Sequence, residues 1–288
     1  MVYFAWGLLV MAIVALLFTL GETLVWWYLW QKQATQDFPA QSDWKTAIVF
    51  LTGISDYSLQ SLQEEQLFLL EEVNNHYPVD LLLTEPFPYQ TSTAQSFSKF
   101  NFWRKIGLKE PPLWVISLHN FWQTVLTIKF EKLYGLAVAR CLINRLGFPQ
   151  SFESKLVLIC GSAGAAIALA AVPFLQKFFQ TRLIILSYGG VFNATSGLDE
   201  VTHFYHLVGE RDVWAKLGEM IFPGRWLPLG TLARARTESR FHVVWTGCHQ
   251  HFGPEGYLSD RTPDSSTQTY RELTVNAITQ LKIWEEIG

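Results

Sequence analysis

The sequence predicts an α/β fold: a mostly parallel central sheet with helices on both faces, preceded by one apolar helix. Two observations support this prediction. From about residue 45 onward, short apolar runs alternate with longer amphipathic stretches, which is the pattern of parallel strands joined by crossover helices. The segment before residue 31 is almost entirely apolar. The 288 residues of the chain are enough for one large domain of this class.

The composition excludes several classes of function. The formal net charge of -3 gives the chain no overall positive charge that would attract nucleic acid, so we expect no nucleic-acid partner. The three cysteines, Cys141, Cys160 and Cys248, are an odd number without metal-site spacing. They predict no disulfide framework and favour a reducing compartment. We also expect neither a metal ion nor an organic cofactor.

The N-terminal segment predicts a membrane anchor. Residues 1–21 carry no charged side chain, and at about 1.5 Å per residue an apolar helix of this length matches the hydrocarbon core of a bilayer. We therefore predict a transmembrane helix over residues 3–21. A secretory signal peptide is disfavoured because the segment has no positive region at its start and no small-residue cleavage site. A buried core helix is the other alternative.

The residues after this helix indicate its orientation. Residues 22–30 extend it at the interface, where Trp26, Trp27, Tyr28 and Trp30 are the aromatic rings that favour the headgroup level. Lys32 and Lys45 follow the helix and no Lys or Arg precedes it. The positive-inside rule then places the C-terminal domain on the cytoplasmic side of a single-pass protein. Residues 31–44 form a polar linker, and the domain spans 45–288.

The domain is predicted to contain six strands and four helical stretches. One stretch, 156–175, has no charge and could also be read as a second membrane span, but its glycines and Pro173 favour a strand, a tight turn and a helix. The predicted helices cover about residues 59–76, 112–146, 163–179 and 267–286. The predicted strands are Ala47–Leu51, Asp80–Thr84, Lys155–Cys160, Leu183–Ser187, His203–Val208 and Phe241–Trp245.

The turn after the third strand reads Cys160-Gly161-Ser162-Ala163-Gly164. It resembles the G-x-S-x-G motif of the α/β-hydrolase superfamily, in which a nucleophilic serine sits on a sharp strand-to-helix turn. Gly164 matches the motif, whereas Cys160 stands where its first glycine is expected. The alternative interpretation is a serine that only caps a helix. The resemblance covers roughly residues 45–285 and implies an acid and then a histidine farther along the chain.

Two later loops supply these residue types in the order that the family uses. The fifth strand ends in Gly209-Glu210-Arg211-Asp212, so Asp212 is the expected acid and Glu210 the alternative. The sixth strand is followed by a glycine-rich loop with two histidines. We favour His251 as the base over His249, because the Phe and Gly that follow it resemble the family's histidine loop.

The same resemblance implies an oxyanion hole made by two backbone N–H groups. The first is that of Ala163, at the N-terminus of the helix after Ser162. The second is expected after the first strand, where many relatives have His-Gly and this chain has Thr52-Gly53. The position matches through its order and its glycine, and it gives Ile54 as the second donor. Asp56 and Tyr57 follow in the same loop and could shape the pocket.

A basic and aromatic segment at 96–109 suggests contact with lipid. Four cations without an intervening acid alternate with aromatic rings there, which suits an anionic bilayer surface. A loop that packs its rings on the core is the alternative. The membrane interpretation would favour an acyl ester with a long apolar chain. The residues concerned are Phe97, Lys99, Phe100, Phe102, Trp103, Arg104, Lys105 and Lys109.

Together these patterns predict a membrane-anchored serine hydrolase of the lipase or esterase type. It would cleave a carboxylic ester or thioester through Ser162, His251 and Asp212. Its expected partners are the lipid bilayer and a lipid-like acyl substrate. The alternative is a catalytically inactive member of the fold that acts as a scaffold or assembly factor and binds a membrane protein partner.

Overall fold

The computed structural model describes residues 2–33, 44–53, 62–84, 113–264 and 266–284. Within these ranges the chain builds one six-stranded sheet in which every neighbouring pair is parallel. This confirms the predicted α/β class. The strands are β1 (Thr46–Leu51), β2 (Leu81–Leu83), β3 (Lys155–Gly161), β4 (Arg182–Tyr188), β5 (His203–Val208) and β6 (Phe241–Trp245).

The strand order across the sheet is β2-β1-β3-β4-β5-β6. The chain therefore turns to one side after β1 and to the other side when it reaches β3. In open α/β sheets, ligands bind outside the carboxyl ends of the strands at such a reversal. The turn that carries Ser162 lies at the carboxyl end of β3, next to β1, and hence at this point.

Helices cover the sheet and lead into it. The helices are α1 (Val2–Gln33), α2 (Glu64–His76), α3 (Leu113–Lys129), α4 (Glu131–Leu146), α5 (Gly164–Phe179), α6 (Gly197–Glu200), α7 (Val213–Ile221), α8 (Thr231–Thr237) and α9 (Tyr270–Thr279), with 3-10 turns at Pro223–Trp226 and Lys282–Trp284. Those that pack on the sheet include α2, α4, α5 and α9. Between β5 and β6, α7 begins beside the carboxyl end of β5, whereas α8 packs Leu232 and Ala235 on the core and leads into β6.

The predicted helix over 112–146 is wrong as a single element. It is two helices, because Phe130 leaves the helical region with φ -121° and ψ 44°, and a new helix begins at Glu131. The helices α7 and α8 between β5 and β6 were not predicted. The helix predicted over 267–286 starts at Tyr270, where the Thr269 hydroxyl accepts a hydrogen bond from the Glu272 N–H (3.1 Å).

The central strands are buried on both faces. In β3, Leu158 belongs to the core on the side of α4 and α5, and Ile159 to the core on the side of α2 and α9; neither is exposed. This explains why the strand is apolar throughout, as parallel central strands are. At Gly135, an added Cβ would lie 1.9 Å from the Ala170 carbonyl oxygen, so α4 and α5 cross in backbone contact there.

The N-terminal helix α1 packs on α3. The Thr23 Oγ1 lies 2.9 Å from His119 Nδ1, and the Trp122 indole donates to the Thr19 hydroxyl (3.2 Å). Trp27 packs against the core of the domain and stacks on Phe130. Within the part of the chain that the structure describes, no helix is long and apolar enough to cross a membrane. Most of the predicted linker, residues 34–43, lies outside the described residues.

Candidate active site

Ser162 occupies a strained turn between β3 and α5. Its φ is +49°, in the left-handed region that non-glycine residues rarely adopt. Two hydrogen bonds fix this geometry: the Ser162 N–H donates to the Tyr188 carbonyl (3.1 Å), and the Ser162 carbonyl accepts from the Val191 N–H (3.0 Å). The end of β4 therefore holds the turn, and the serine hydroxyl is presented at the carboxyl edge of the sheet.

The residues around Ser162 must be small because neighbouring strands approach closely. A Cβ on Gly164 would lie 2.8 Å from the Leu51 carbonyl oxygen, and one on Gly161 would lie 2.7 Å from the Tyr188 ring. Cys160 does not crowd the turn in this way. Its side chain points into the fully buried face of the sheet, where it pairs in register with Leu51 and Ser187.

Three side chains from three different loops converge at this turn. The His251 Nε2 lies 2.9 Å from the Ser162 Oγ, and its Nδ1 lies 3.0 Å from both carboxylate oxygens of Asp212. Because an ionised carboxylate can only accept, Nδ1 carries the proton and Nε2 is left to accept from the serine hydroxyl. This is the arrangement that raises the nucleophilicity of a serine.

Asp212 is fully buried but well supplied with donors. It caps helix α7, where its Oδ1 accepts from the Ala215 N–H (2.9 Å), and its Oδ2 accepts from the Tyr257 hydroxyl (2.7 Å). Burial alone would raise the pKa of this carboxyl group, but the hydrogen bond and charge of His251, together with those two donors, lower the pKa below its ordinary value. Asp212 therefore stays ionised beside the histidine.

The two alternative residues lie elsewhere. Glu210 is exposed to solvent, and its side chain makes no contact with His251 among the interactions of the described residues. The Nε2 of His249 lies 2.8 Å from the Tyr270 carbonyl oxygen, and its ring stacks on Tyr257 at 5.1 Å. Burial lowers the pKa of His249. His249 thus belongs to the scaffold of the loop that presents His251.

Of the two predicted oxyanion donors, one can be located. The Ala163 N–H lies at the start of α5 and donates to no acceptor within the described part of the chain, although the residue is buried. Ile54, with Asp56 and Tyr57, lies outside the described residues. The loop that leads to Ile54 does reach the site, because a Cβ on Gly164 would lie 3.2 Å from the Thr52 carbonyl oxygen.

A cleft of about 320 Å³ opens beside His251. It lies between the start of α2 and the loop that follows His251, and most of its side chains are polar. Its lining includes the rings of Tyr188 and Tyr257 and the polar side chains of Gln63, Glu65 and Asp260. Among the described residues that line the cleft, none is Lys or Arg. The basic segment 96–109 lies outside the described residues.

The other flank of the site is apolar. Helix α7 turns its small residues, Ala215 and Gly218, toward the protein and its large apolar residues toward solvent. The ring of Trp214 lies 6.4 Å from both the His251 and the Phe252 rings. We call this surface the α7 face; it consists of Val213, Trp214, Leu217, Met220 and Ile221, which are all exposed.

Sequence reasoning did not identify Tyr257 or the α7 face. Tyr257 stands in a Gly/Pro-rich loop with no periodicity, so no signal could have indicated its contact with Asp212. The α7 face does leave a trace, because apolar residues recur at helical spacing directly after Asp212. Within the described residues, no group of three or more His, Cys, Asp or Glu side chains could hold a metal ion.

No protein-family model matches the sequence, and no curated protein matches it significantly. A functional assignment therefore depends on the geometry of the site.

Proposed function

We propose that this protein is a serine hydrolase that cleaves a carboxylic ester or thioester. The single observation that carries the proposal is the continuous hydrogen-bonded chain from the Ser162 Oγ through the His251 ring to the Asp212 carboxylate. In acyl transfer, an imidazole hydrogen-bonded to a serine acts as the general base, and a buried carboxylate orients that imidazole. The three side chains have this arrangement here.

The reaction follows from these positions. As the Ser162 Oγ attacks the acyl carbonyl carbon, His251 Nε2 takes the hydroxyl proton and the Ala163 N–H stabilises the oxyanion. The C–O or C–S bond to the leaving group then breaks, and His251 returns the proton to the alcohol or thiol. Water, deprotonated by His251, then attacks the acyl carbonyl carbon of the acyl-enzyme. The bond between this carbon and the Ser162 Oγ breaks, His251 returns the proton to the serine oxygen, and the carboxylic acid leaves. Asp212 holds the imidazole and stabilises its charged form.

We further propose that the domain belongs to the α/β-hydrolase superfamily. Three features support this. The serine lies on a strand-to-helix turn with positive φ, the residues follow the order Ser, Asp, His along the chain, and each comes after the carboxyl end of a parallel strand. The superfamily uses the same context and order. The site also lies at the reversal of strand order, where α/β sheets bind ligands.

The substrate we propose is an acyl compound with an apolar chain. The α7 face supplies exposed apolar surface beside His251, with the Trp214 and His251 ring centroids 6.4 Å apart. Such patches next to a site mark contact with apolar ligands or lipid. The cleft on the other flank would hold a polar portion of the substrate. An amphiphilic ester fits both surfaces at once.

We also propose that α1 anchors the protein in a membrane, with the domain on the cytoplasmic side. The support is the number of large apolar side chains that α1 leaves exposed, among them Leu9, Met11, Val14, Leu17 and Phe18. Such a surface is unfavourable in water and favourable in lipid. We expect the full chain to stay in the membrane pellet after alkaline extraction, and its release into the supernatant would contradict the anchor.

Turnover of p-nitrophenyl esters of increasing chain length by the purified full chain tests the hydrolase proposal. We expect wild-type protein to hydrolyse them and Ser162→Ala to be reduced to the background rate. Folded wild-type protein that hydrolyses no ester or thioester, and co-purifies with a stoichiometric membrane protein, would instead favour the scaffold alternative.

A further inference from the structure

The Tyr257 hydroxyl lies between two fixed partners at the acid end of the site. It accepts a hydrogen bond from the Gly209 N–H (2.7 Å) and lies 2.7 Å from the Asp212 Oδ2. A backbone N–H can only donate, and an ionised carboxylate can only accept. The single proton of the hydroxyl must therefore point at Asp212.

The Tyr257 ring is held so that its hydroxyl cannot turn away. It is buried and lies between His249, which stacks on it at 5.1 Å, and Tyr188, at 5.7 Å. On the backbone, the Tyr257 carbonyl accepts from the Thr274 hydroxyl (2.7 Å). The hydrogen-bond donor to Asp212 is therefore built into the packing of the loop.

The donors on Asp212 fix the rotation of its carboxylate. The Ala215 N–H binds Oδ1 and the Tyr257 hydroxyl binds Oδ2. With one donor on each oxygen, both oxygens are held 3.0 Å from His251 Nδ1. Without the hydroxyl, Oδ2 would keep only the histidine, and the carboxylate could rotate about its last bond.

We propose that Tyr257 is a positioning residue that orients Asp212 toward His251. Its effect on catalysis rests on the proposed hydrolase function, but its effect on the Asp212–His251 hydrogen bond does not. Burial and the charge of Asp212 raise the pKa of Tyr257 above its ordinary value. The hydroxyl thus keeps its proton wherever the protein is folded, and the donor is permanent.

The test compares Tyr257→Phe with Tyr270→Phe as a matched control. Both replacements keep a buried ring and remove one hydroxyl, but the Tyr270 hydroxyl contacts Arg211 and Cys248 and not Asp212. With histidine labelled by ¹⁵N in the full chain, the hydrogen-bonded Nδ1–H of His251 gives a low-field proton resonance, which is assigned by its loss in Asp212→Asn. We expect Tyr257→Phe to shift or broaden this resonance and Tyr270→Phe to leave it unchanged.

Kinetics supply a second readout. We expect Tyr257→Phe to lower kcat about 10- to 100-fold, the factor for one hydrogen bond to a charged group, and to leave KM unchanged. In an Asp212→Asn background, Tyr257→Phe should cause no further loss, because its effect acts through the carboxylate. A merely structural role would give the same loss in both backgrounds.

The outcomes separate the two proposals. An unchanged His251 resonance in folded Tyr257→Phe protein would overturn the positioning role, whether or not the protein turns over esters. If the wild type is active, a kcat of Tyr257→Phe equal to that of the wild type would overturn it as well. A shifted resonance in a wild-type protein that hydrolyses nothing would retain the positioning role and reject the hydrolase.

Discussion

The end of β3 with the turn after it, and the loop after β6, each carry two reactive side chains, and the two members of each pair lie in different surroundings. Cys160, near the end of β3, lies in the sheet interior, whereas Ser162, in the turn, lies at the carboxyl edge. In the loop, His249 is bound to the Tyr270 carbonyl and His251 faces the serine. The two members of each pair are only two residues apart in the sequence. Of the four side chains, Ser162 and His251 are the two that form a hydrogen bond with each other across the site.

The difference indicates that the position of a side chain, more than its residue type, decides whether it lies where a substrate could meet it. A thiol is intrinsically the better nucleophile, but burial raises the pKa of Cys160 to about 12, so it remains a neutral thiol. The Ser162 hydroxyl has an imidazole at 2.9 Å and a backbone N–H beside it. Variants that change one member of a pair and leave the other in place test this difference.

The largest contrast is expected between the two histidines. His251→Gln removes the proton acceptor and should lower kcat by about 10⁴-fold or more, as the corresponding change does in known serine hydrolases. His249→Gln should leave kcat within a few-fold of wild type and instead lower the melting temperature, since it disturbs a buried hydrogen bond worth about 1 kcal/mol. Steady-state kinetics measure kcat, and thermal unfolding measures the melting temperature. An equal loss of kcat in folded His251→Gln and His249→Gln would contradict the different roles of the two histidines.

A smaller contrast is expected between the two acids. Asp212→Asn keeps the shape of the side chain but replaces one carboxylate oxygen with an NH₂ group, which cannot accept a hydrogen bond from the His251 Nδ1–H. We therefore expect kcat to fall by about 10³- to 10⁴-fold. Glu210→Gln changes an exposed residue and should leave kcat unaltered. The comparison is made at fixed pH with the same ester. Full activity of Asp212→Asn would show that the buried carboxylate has no part in turnover.

The smallest effect is expected at Cys160. Cys160→Ala leaves the Ser162 turn intact, and its activity should equal that of wild type. The lost buried sulfur should reduce the free energy of unfolding by about 1 kcal/mol, measurable by denaturant titration. A Cys160→Ala variant that folds but loses turnover would show that the thiol takes part in the reaction. It would contradict the distinction between Cys160 in the sheet interior and Ser162 at the carboxyl edge.

Much of the sheet could be predicted because its signal is local. The strands His203–Val208 and Phe241–Trp245 have the predicted bounds, since each is a short apolar run that ends at Gly209 or Thr246 and turn residues. The order of Ser162, Asp212 and His251 along the chain could also be predicted, because each of them follows such an apolar run. The catalytic role of the three residues stays a prediction until turnover is measured.

The remainder depends on contacts that no local pattern contains. Residues 112–146 read as one helix because nothing at Phe130 breaks the periodicity, yet the backbone of Phe130 leaves the helical region in the folded chain. The choice of His251 over His249 depends on which carbonyl or carboxylate each ring meets in three dimensions. Tyr257 reaches Asp212 from 45 residues away, and only the folded chain reveals that pairing.

The most direct test of the central claim is the location of a fluorophosphonate adduct on the purified full chain. The tryptic peptide 156–177 contains both Cys160 and Ser162, so fragmentation of one peptide by mass spectrometry distinguishes them. We expect an adduct on Ser162 in wild type and in Cys160→Ala, and none in Ser162→Ala or His251→Gln. Folded wild-type protein that remains unlabelled, or that is labelled at any residue other than Ser162, would contradict the central claim.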